Sequence, residues 1–399
     1  MDINTILARG VEEVIDKEHL TAALKSGKKL RIKLGIDPTS PNIHIGRAVV
    51  LWKLRAFQEL GHKIVFIVGD FTGLIGDTSD KDAERPMMAA SELRKNMKGY
   101  FDQAFKILDK SKTETHYNSE WLKKLGFLEV GEMADLFGLH EFAARENVAK
   151  RMKVGKRVSL REMLYPIMQG YDSVAIKADV ELGGTDQRFN LLAGRVIQKH
   201  YGQKPQDIVT TTLLEGTDGR KMSSSWGNVI NLTDKPDEMF GKVMSISDDL
   251  IKKYFLLCTS LSEEEIKNII FANKNPKDQK TRLAKEIVTI YHSTKAAEAA
   301  ATNFEKKFGK AKGEVRADVE MAYQKVKEDV GGGTYTYTGL LNLFVRSGLA
   351  SSKMDARRKI DGGGLSINEH HHIRLSEKIL HTMSKGDLIR LGKRFLRIV

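Results

Sequence analysis

The stretch LRIKLGIDPTSPNIHIGR, residues 30–47, carries in succession a strand, a turn and the start of a helix. Residues 30–36 alternate basic and apolar side chains, the period of a strand, and Gly35-Ile36-Asp37-Pro38-Thr39 runs it into a turn. From Ile45 the apolar residues Ala48, Leu51 and Leu54 recur at helical spacing, with Gly61 where a C-terminal cap belongs. Residues 64–68, Ile-Val-Phe-Ile-Val, form a short apolar run that predicts a buried parallel strand ending at Gly69-Asp70. Strand, helix and strand make one βαβ unit.

Outward from this unit the alternation continues. A helix is expected over 91–108, with Leu93, Met97, Phe101, Phe105 and Leu108 on one face, then a strand over 113–118. Residues 119–163 are rich in Met, Phe and charge and suit a helical insertion that packs against a partner subunit. Helical spacing resumes at Leu164; strands are expected over 174–182 and 208–214, with a helix over 186–201 between them. The pattern predicts an α/β fold with a doubly wound, Rossmann-like parallel sheet and helices on both faces. After Lys235 the pattern is helical through Phe308, broken mainly at Asn273-Lys274-Asn275-Pro276. Residues 309–335 are polar, hold Gly331-Gly332-Gly333 and read as linker. Residues 338–399 read as a small α+β module. The expected domains are 1–232, 233–330 and 338–399.

A chain of 399 residues exceeds what one core usually supports, which agrees with several domains. No apolar run approaches the ~18 residues of a membrane span. Met1-Asp2-Ile3-Asn4 opens without a secretory pattern, so a cytoplasmic location is expected. The single cysteine, Cys258, excludes an intrachain disulfide or a cysteine-cluster zinc site and reads as a buried structural thiol. The net charge is +13, and residues 338–399 hold 12 Lys and Arg against five Asp and Glu, giving +7 there. An anionic partner is implied, engaged largely by the C-terminal module. Lys353, Arg357 and Arg358 are its candidate nucleic-acid contacts, because positions i and i+4 share a helix face.

Two short segments suggest chemistry. Asp37, Thr39, His44, Gly46 and Arg47 surround a strand-to-helix turn, where free amides and the helix dipole favour phosphate and Gly46 lets a flat base approach the backbone. Lys221, Met222, Ser223, Ser224 and Ser225 form a polar loop whose Lys could follow moving phosphate charge. Alone, the first could be an ordinary capped turn and the second a solvated loop. Both, however, leave the C-terminal ends of strands in one predicted sheet, where such folds bind ligands.

Together, His44-Ile45-Gly46-Arg47 and Lys221 to Ser225 resemble the HIGH and KMSKS motifs of class I aminoacyl-tRNA synthetases. Within that class the chain is similar to tyrosyl-tRNA synthetases through 35–39, Gly69 to Asp77, Tyr165 to Asp172 and 183–187. The resemblance covers essentially the whole length, including a helical tRNA-binding domain and a C-terminal RNA-binding module of the ribosomal-protein S-four-like type. It implies activation of L-tyrosine by ATP, with Mg2+ borne by the nucleotide, transfer to tRNA(Tyr), and a homodimer. No tightly bound cofactor and no metal site of the protein's own are implied.

The resemblance also implies residue roles. Asp77, Tyr165 and Gln169 would hold the substrate ammonium, with Asn118 nearby and Gly35 in the tyrosine pocket; Asp172 would accept from the phenol hydroxyl. Asp186 would bond the adenylate ribose, and Gln187 would lie near the reacting carboxylate. Thr39, His44 and Lys221 with Ser224 and Ser225 would face the departing pyrophosphate; Asp37, Gly46, Arg47 and Met222 would complete the ATP site. On the residues alone, 165, 169 and 172 share one helix face, and Asp186 could equally be a helix cap. Three positions depart from the family pattern. Arg47 stands for the second His of HIGH, Ser224 for the second Lys of KMSKS, and Lys33 for a phenol-binding Tyr. Arg47 could compensate for Ser224 or face solvent; Lys33 could pair with Asp172 or point outward. A silent RNA-binding paralogue and a tryptophanyl enzyme are the competing readings.

Overall fold

The computed structural model describes residues 2–79, 86–308, 317–368, 370–371 and 381–399. Part of the expected linker (309–316) and part of the expected C-terminal module (369 and 372–380) lie outside the described residues. The chain divides into two compact units, one ending at Lys306 and one beginning at Lys307.

The first unit is built on a six-stranded sheet in the order β1-β6-β5-β2-β3-β4. Its strands are β1 (Val11–Ile15), β2 (Arg31–Ile36), β3 (Lys63–Val68), β4 (Thr113–Tyr117), β5 (Val180–Gly184) and β6 (Asp207–Thr211). β2 to β6 run parallel, as the alternation predicts. β1 pairs antiparallel with β6 at the edge, outside the predicted parallel pattern. Successive residues of β3 point to opposite faces, so both faces must be covered. Ile64, Phe66 and Val68 pack with Leu51, Leu54 and Phe57 of the helix Ile45–Glu59. Val65 and Ile67 pack on the other face with Ile176 and Ala178.

Two expected elements are corrected. The helix expected over 91–108 is two helices, Ala90–Met97 and Tyr100–Ala104, separated at Gly99 with φ 71°. Most of the strand expected over 174–182 is not extended. The helix Leu160–Ala175 continues through Val174, Lys177 turns with φ 51°, and only then does β5 begin. Residues 119–163 hold four short helices and the first residues of the helix Leu160–Ala175.

The helices Pro236–Met244, Ile251–Cys258 and Pro276–Tyr291 contribute Phe240, Phe255 and Ile287 to the apolar cluster that also covers the sheet. The expected boundary near 232 therefore falls inside one compact unit. Cys258 is buried in that cluster, and burial pushes its thiol pKa up.

The second unit has its own core around Val326, Tyr335, Leu340, Phe344, Ile389 and Leu396. Its five-stranded sheet runs β10-β9-β12-β13-β7, and a two-stranded sheet joins β11 to β8. The strands are β7 (Val319–Met321), β8 (Thr334–Tyr335), β9 (Leu365–Ile367), β10 (His370–His371), β11 (His381–Thr382), β12 (Leu388–Leu391) and β13 (Arg394–Ile398). Residues 317–335, expected as linker, instead supply β7, β8 and the helix Tyr323–Val330 to this unit. β7 pairs in parallel with β13, and Met321, Val326 and Val330 enter the core.

Candidate active site

The switch in strand order falls between β2 and β5, whose neighbours lie on opposite sides. Open α/β sheets form a crevice beyond the carboxyl ends of strands at such a point. A cavity of about 380 Å³ lies there, lined by Gly35 near the end of β2 with Asp37 and Thr39 after it, by Gly184 at the end of β5 with Asp186 and Gln187 after it, and by Thr212 and Leu213 after β6.

The turn after β2 is held from several directions. Asp37 accepts hydrogen bonds from Thr72 Oγ1 (2.7 Å) and Tyr165 OH (2.9 Å). A Cβ on Gly69 would collide with the Asp37 carboxylate, so glycine there lets strand β3 pass close to the turn. His44 caps the helix Ile45–Glu59, its Nδ1 accepting from the Arg47 amide at 3.3 Å. Burial, with help from Arg47 and Lys221, lowers the His44 pKa to about 3, so the ring is neutral near pH 7. With Nδ1 accepting, the proton sits on Nε2, which becomes a donor.

Arg47 does not project into solvent. Its guanidinium donates to Tyr100 OH at 2.6 Å, to Thr39 Oγ1 at 3.1 Å and to the Asp37 carbonyl at 3.4 Å, and it lines the cavity. It ties Thr39 to the body of the fold. Tyr100 is fully buried, and burial raises its phenol pKa.

The loop after β6 closes the opposite wall. Asn228 stitches it, accepting from the Ser223 amide (2.8 Å) and donating to Asp218 (2.7 Å) and to the Lys221 carbonyl (3.1 Å). The buried Met222 accepts at Sδ from the Gly46 amide at 3.3 Å. Lys221 Nζ pairs with Asp186 at 3.0 Å, and the Ser224 and Ser40 hydroxyls lie 3.2 Å apart. His44, Gly46, Arg47, Lys221, Ser224 and Ser225 thus share one cavity, which neither segment reveals separately.

On the β2–β5 side, Asp77, Tyr165, Gln169 and Gln187 also line the cavity. Asp77 accepts from the Ser79 amide (2.9 Å) and from Gln187 Nε2 (2.7 Å). Tyr165 stands on the helix Leu160–Ala175, started by a Ser159–Glu162 capping box. Burial, reinforced by Asp37, raises its pKa well above the usual range.

Asn118 and Asp172 are not among the lining residues. Asn118 accepts from the Phe71 amide (3.0 Å) and donates to Thr72 (2.9 Å) and Asp172 (3.3 Å). Trp121 Nε1 donates to the other Asp172 oxygen at 2.7 Å. Burial raises the Asp172 pKa to about 7 despite the opposing pull of Lys33, Trp121 and Asn118. Lys33 neither pairs with Asp172 nor points outward. It is wholly buried against Glu181, with Nζ to Oε1 at 2.9 Å.

In the second unit, Lys353, Arg357 and Arg358 lie on the helix Lys353–Asp361, capped by Ser352. Arg357 Nε donates to Tyr337 OH at 3.1 Å, while Arg358 pairs with Asp355 at 3.0 Å and remains exposed. Tyr100, Trp121, Glu181 and Asn228 were not singled out from sequence. A Trp Nε1 turned inward needs an acceptor, and Trp121, close after Asn118, finds it at Asp172.

A parallel sheet with a ligand crevice at its switch point, a His-capped helix on one side and a Lys-Met-Ser loop on the other are the features of a class I aminoacyl-tRNA synthetase. The family described as tRNA synthetases class I (W and Y) matches residues 25–309. The chain is 44% identical to the tyrosine–tRNA ligase of Carboxydothermus hydrogenoformans, over 99% of this chain and 97% of that one. It is also 44% identical to the Thermotoga maritima tyrosine–tRNA ligase, over 98% and 96%. A C-terminally truncated mitochondrial tyrosyl-tRNA synthetase of Coccidioides posadasii superposes with TM-score 0.62 at 25% identity, covering 75% of this chain and 90% of that one. The Archaeoglobus fulgidus tyrosyl-tRNA synthetase, complexed with L-tyrosine, shares the fold with TM-score 0.60 at 23% identity, over 74% and 98%. The chain belongs to the tyrosyl-tRNA synthetase family.

Proposed function

We infer that the chain is a working tyrosine–tRNA ligase, which joins L-tyrosine to ATP and then to tRNA(Tyr). The observation that carries this is the single cavity holding His44, Gly46, Arg47 and Lys221 on one side and Asp77, Tyr165 and Gln169 on the other. A tyrosine carboxylate oxygen attacks the α-phosphorus of ATP, and the bond to the β-phosphate bridging oxygen breaks as pyrophosphate leaves. No enzyme nucleophile is needed, so rate comes from positioning and charge stabilisation. The His44 Nε2–H, the Thr39 hydroxyl, Lys221 and the Ser224 and Ser225 hydroxyls are the donors for the phosphates. Gly46 leaves room for the adenine beside Met222, and Asp186 accepts from the ribose once Lys221 turns to phosphate. Mg2+ enters with ATP, held by phosphate oxygens and water.

The amino-acid half is read in the same way. Asp77 and Gln169 accept from the ammonium, with Tyr165 fixed by Asp37 beside them, and Gln187 faces the carboxylate. The phenol reaches toward Asp172. A carboxylate has about four acceptor positions, so those left by Trp121 and Asn118 can take the phenol O–H. In the second step a 3′-terminal ribose hydroxyl of the tRNA attacks the tyrosyl carbonyl, AMP leaves, and the hydroxyl proton is released.

The basic second unit would hold tRNA through Lys353, Arg357 and neighbouring cations. In the helical insertion Phe127 is 95% exposed, Leu128 77% and Leu160 79%, which suits an interface with a second copy. Among the described residues no helix is long and apolar enough to cross a membrane, and a cytoplasmic site of action is proposed. Incubation with ATP, labelled tyrosine and tRNA(Tyr) should yield tyrosyl-tRNA. Absence of product would overturn this reading, and product only in a parallel incubation with labelled tryptophan and tRNA(Trp) would favour the tryptophanyl alternative.

A further inference from the structure

Directly behind the cavity wall lies a buried polar cluster that the proposed chemistry does not use. Lys33, on β2, is 0% exposed and Glu181, on β5, is 1% exposed, their Nζ and Oε1 2.9 Å apart. Burying two charges is costly unless each is fully hydrogen-bonded. Here both are. Lys33 Nζ also donates to the Gln169 carbonyl (2.7 Å) and to Ser173 Oγ (2.8 Å). Glu181 Oε1 accepts from Gln169 Nε2 (3.1 Å) and Oε2 from Ser173 Oγ (3.1 Å), while Gln206 Nε2 donates to Oε2 as well.

Gln169 is the member of this cluster that lines the cavity. Its amide has a donor end and an acceptor end, and a flipped amide would present the wrong one. A carboxylate ringed by donors can only accept, so the Gln169 end that meets Glu181 must be its NH2. The carbonyl oxygen Oε1 is then the end left for the ligand. Lys33 holds the same residue by its main chain and supplies the charge that lets Glu181 remain a buried acceptor.

We propose that the Lys33–Glu181 pair is a positioning device that locks the Gln169 side-chain amide with Oε1 toward the substrate ammonium. In this chain the β2 position associated with phenol recognition would thus serve the other end of the amino acid. The proposal rests on the tyrosine-activation reading and refines it. A locked acceptor gains a charge-assisted hydrogen bond to –NH3+, whereas a flipped amide sets donor against donor.

The test is the variant Lys33→Met/Glu181→Gln, which removes both charges together and replaces Glu181 by an amide able to accept or donate. The ligands are tyrosine and 3-(4-hydroxyphenyl)propionate, which lacks only the amino group. The variant should raise the tyrosine KM about tenfold or more in pyrophosphate exchange, the scale of one lost charged hydrogen bond, with kcat within about twofold. The inhibition constant of the propionate should stay within about twofold. Gln169→Met should produce the same selective loss in the parent chain and little further loss in the variant. Glu181→Gln alone, which keeps the side-chain shape and leaves Lys33 its acceptors at the Gln169 carbonyl and Ser173 Oγ, carries the same comparison should the paired variant fail to fold. Equal weakening of tyrosine and the propionate, or an unchanged tyrosine KM, would overturn the proposal while leaving tyrosine activation intact. A parent chain with no tyrosine-dependent exchange would overturn the activation reading itself.

Discussion

Arg47→Ala should slow tyrosyl-adenylate formation more than it weakens ATP binding. The side chain spans from Tyr100 OH (2.6 Å) to Thr39 Oγ1 (3.1 Å). Tyr100 is completely buried, so truncating Arg47 strands its hydroxyl oxygen at a cost of about 1–3 kcal/mol of stability. Thr39 borders the cavity, and water can replace its lost partner, so its share of the stability loss is small. Its loss of position has a larger effect, because displacing one phosphate donor by about an ångström slows chemistry roughly 100-fold. Arg47→Lys should rescue little, since one ammonium cannot reproduce the planar fork. Single-turnover adenylation by rapid quench, beside thermal unfolding, separates the two effects. If Arg47→Ala lowers the melting temperature but adenylates at the parent rate, Arg47 is structural only. Adding Ser224→Lys should restore part of the lost rate; strictly additive effects would refute compensation between the two positions.

Further outcomes follow from the same geometry. Asp172→Ala should sharply reduce the preference for tyrosine over phenylalanine, measured as a ratio of kcat/KM values; an unchanged ratio places phenol recognition elsewhere. The Asp172 pKa is raised from 3.8 to about 7, so the folded state binds more protons than the unfolded one across that window. This group's contribution to stability therefore falls as pH rises from about 4 to about 7, and the tyrosine KM should improve through pH 7 as the ionised acceptor forms. Both trends should vanish in Asp172→Asn. Deleting the second unit from Lys307 should leave pyrophosphate exchange near the parent value while weakening tRNA binding and reducing its salt dependence. Unchanged tRNA affinity would refute that assignment. Phe127→Glu/Leu128→Glu should shift a dimer to monomer in analytical ultracentrifugation, and an unaltered mass would exclude this face as the interface.

The parallel strands were legible because a buried strand needs a short apolar run, as at 64–68, and a loop needs Gly, Asp or Pro, as at 35–39. Val174-Ala175-Ile176 misled because a helix end buried against the sheet is as apolar and β-branched as a strand. Only the left-handed turn at Lys177 marks the change. β1 is not legible in the sequence because Val11-Glu12-Glu13-Val14-Ile15 is a half-exposed edge strand whose partner, β6, lies far along the chain. Residues 317–335 looked like linker since polarity dominates there, yet Met321, Val326 and Val330 suffice to seat the segment on its core. The motif loops were readable as chemistry. What holds them was not, because Lys33–Glu181, Arg47–Tyr100 and Trp121–Asp172 join residues distant in sequence. On sequence Lys33 could pair with Asp172 or point to solvent, whereas helices cover that face of the sheet and its partner is Glu181.

If one cavity activates tyrosine at the expense of ATP, labelled pyrophosphate must exchange into ATP only when the right amino acid is present. The chain should support exchange with tyrosine, none without an amino acid, negligible exchange with tryptophan, and far slower exchange after Lys221→Ala. No exchange with tyrosine, from a folded chain that still binds tRNA, would make the protein a silent RNA-binding protein and not a ligase.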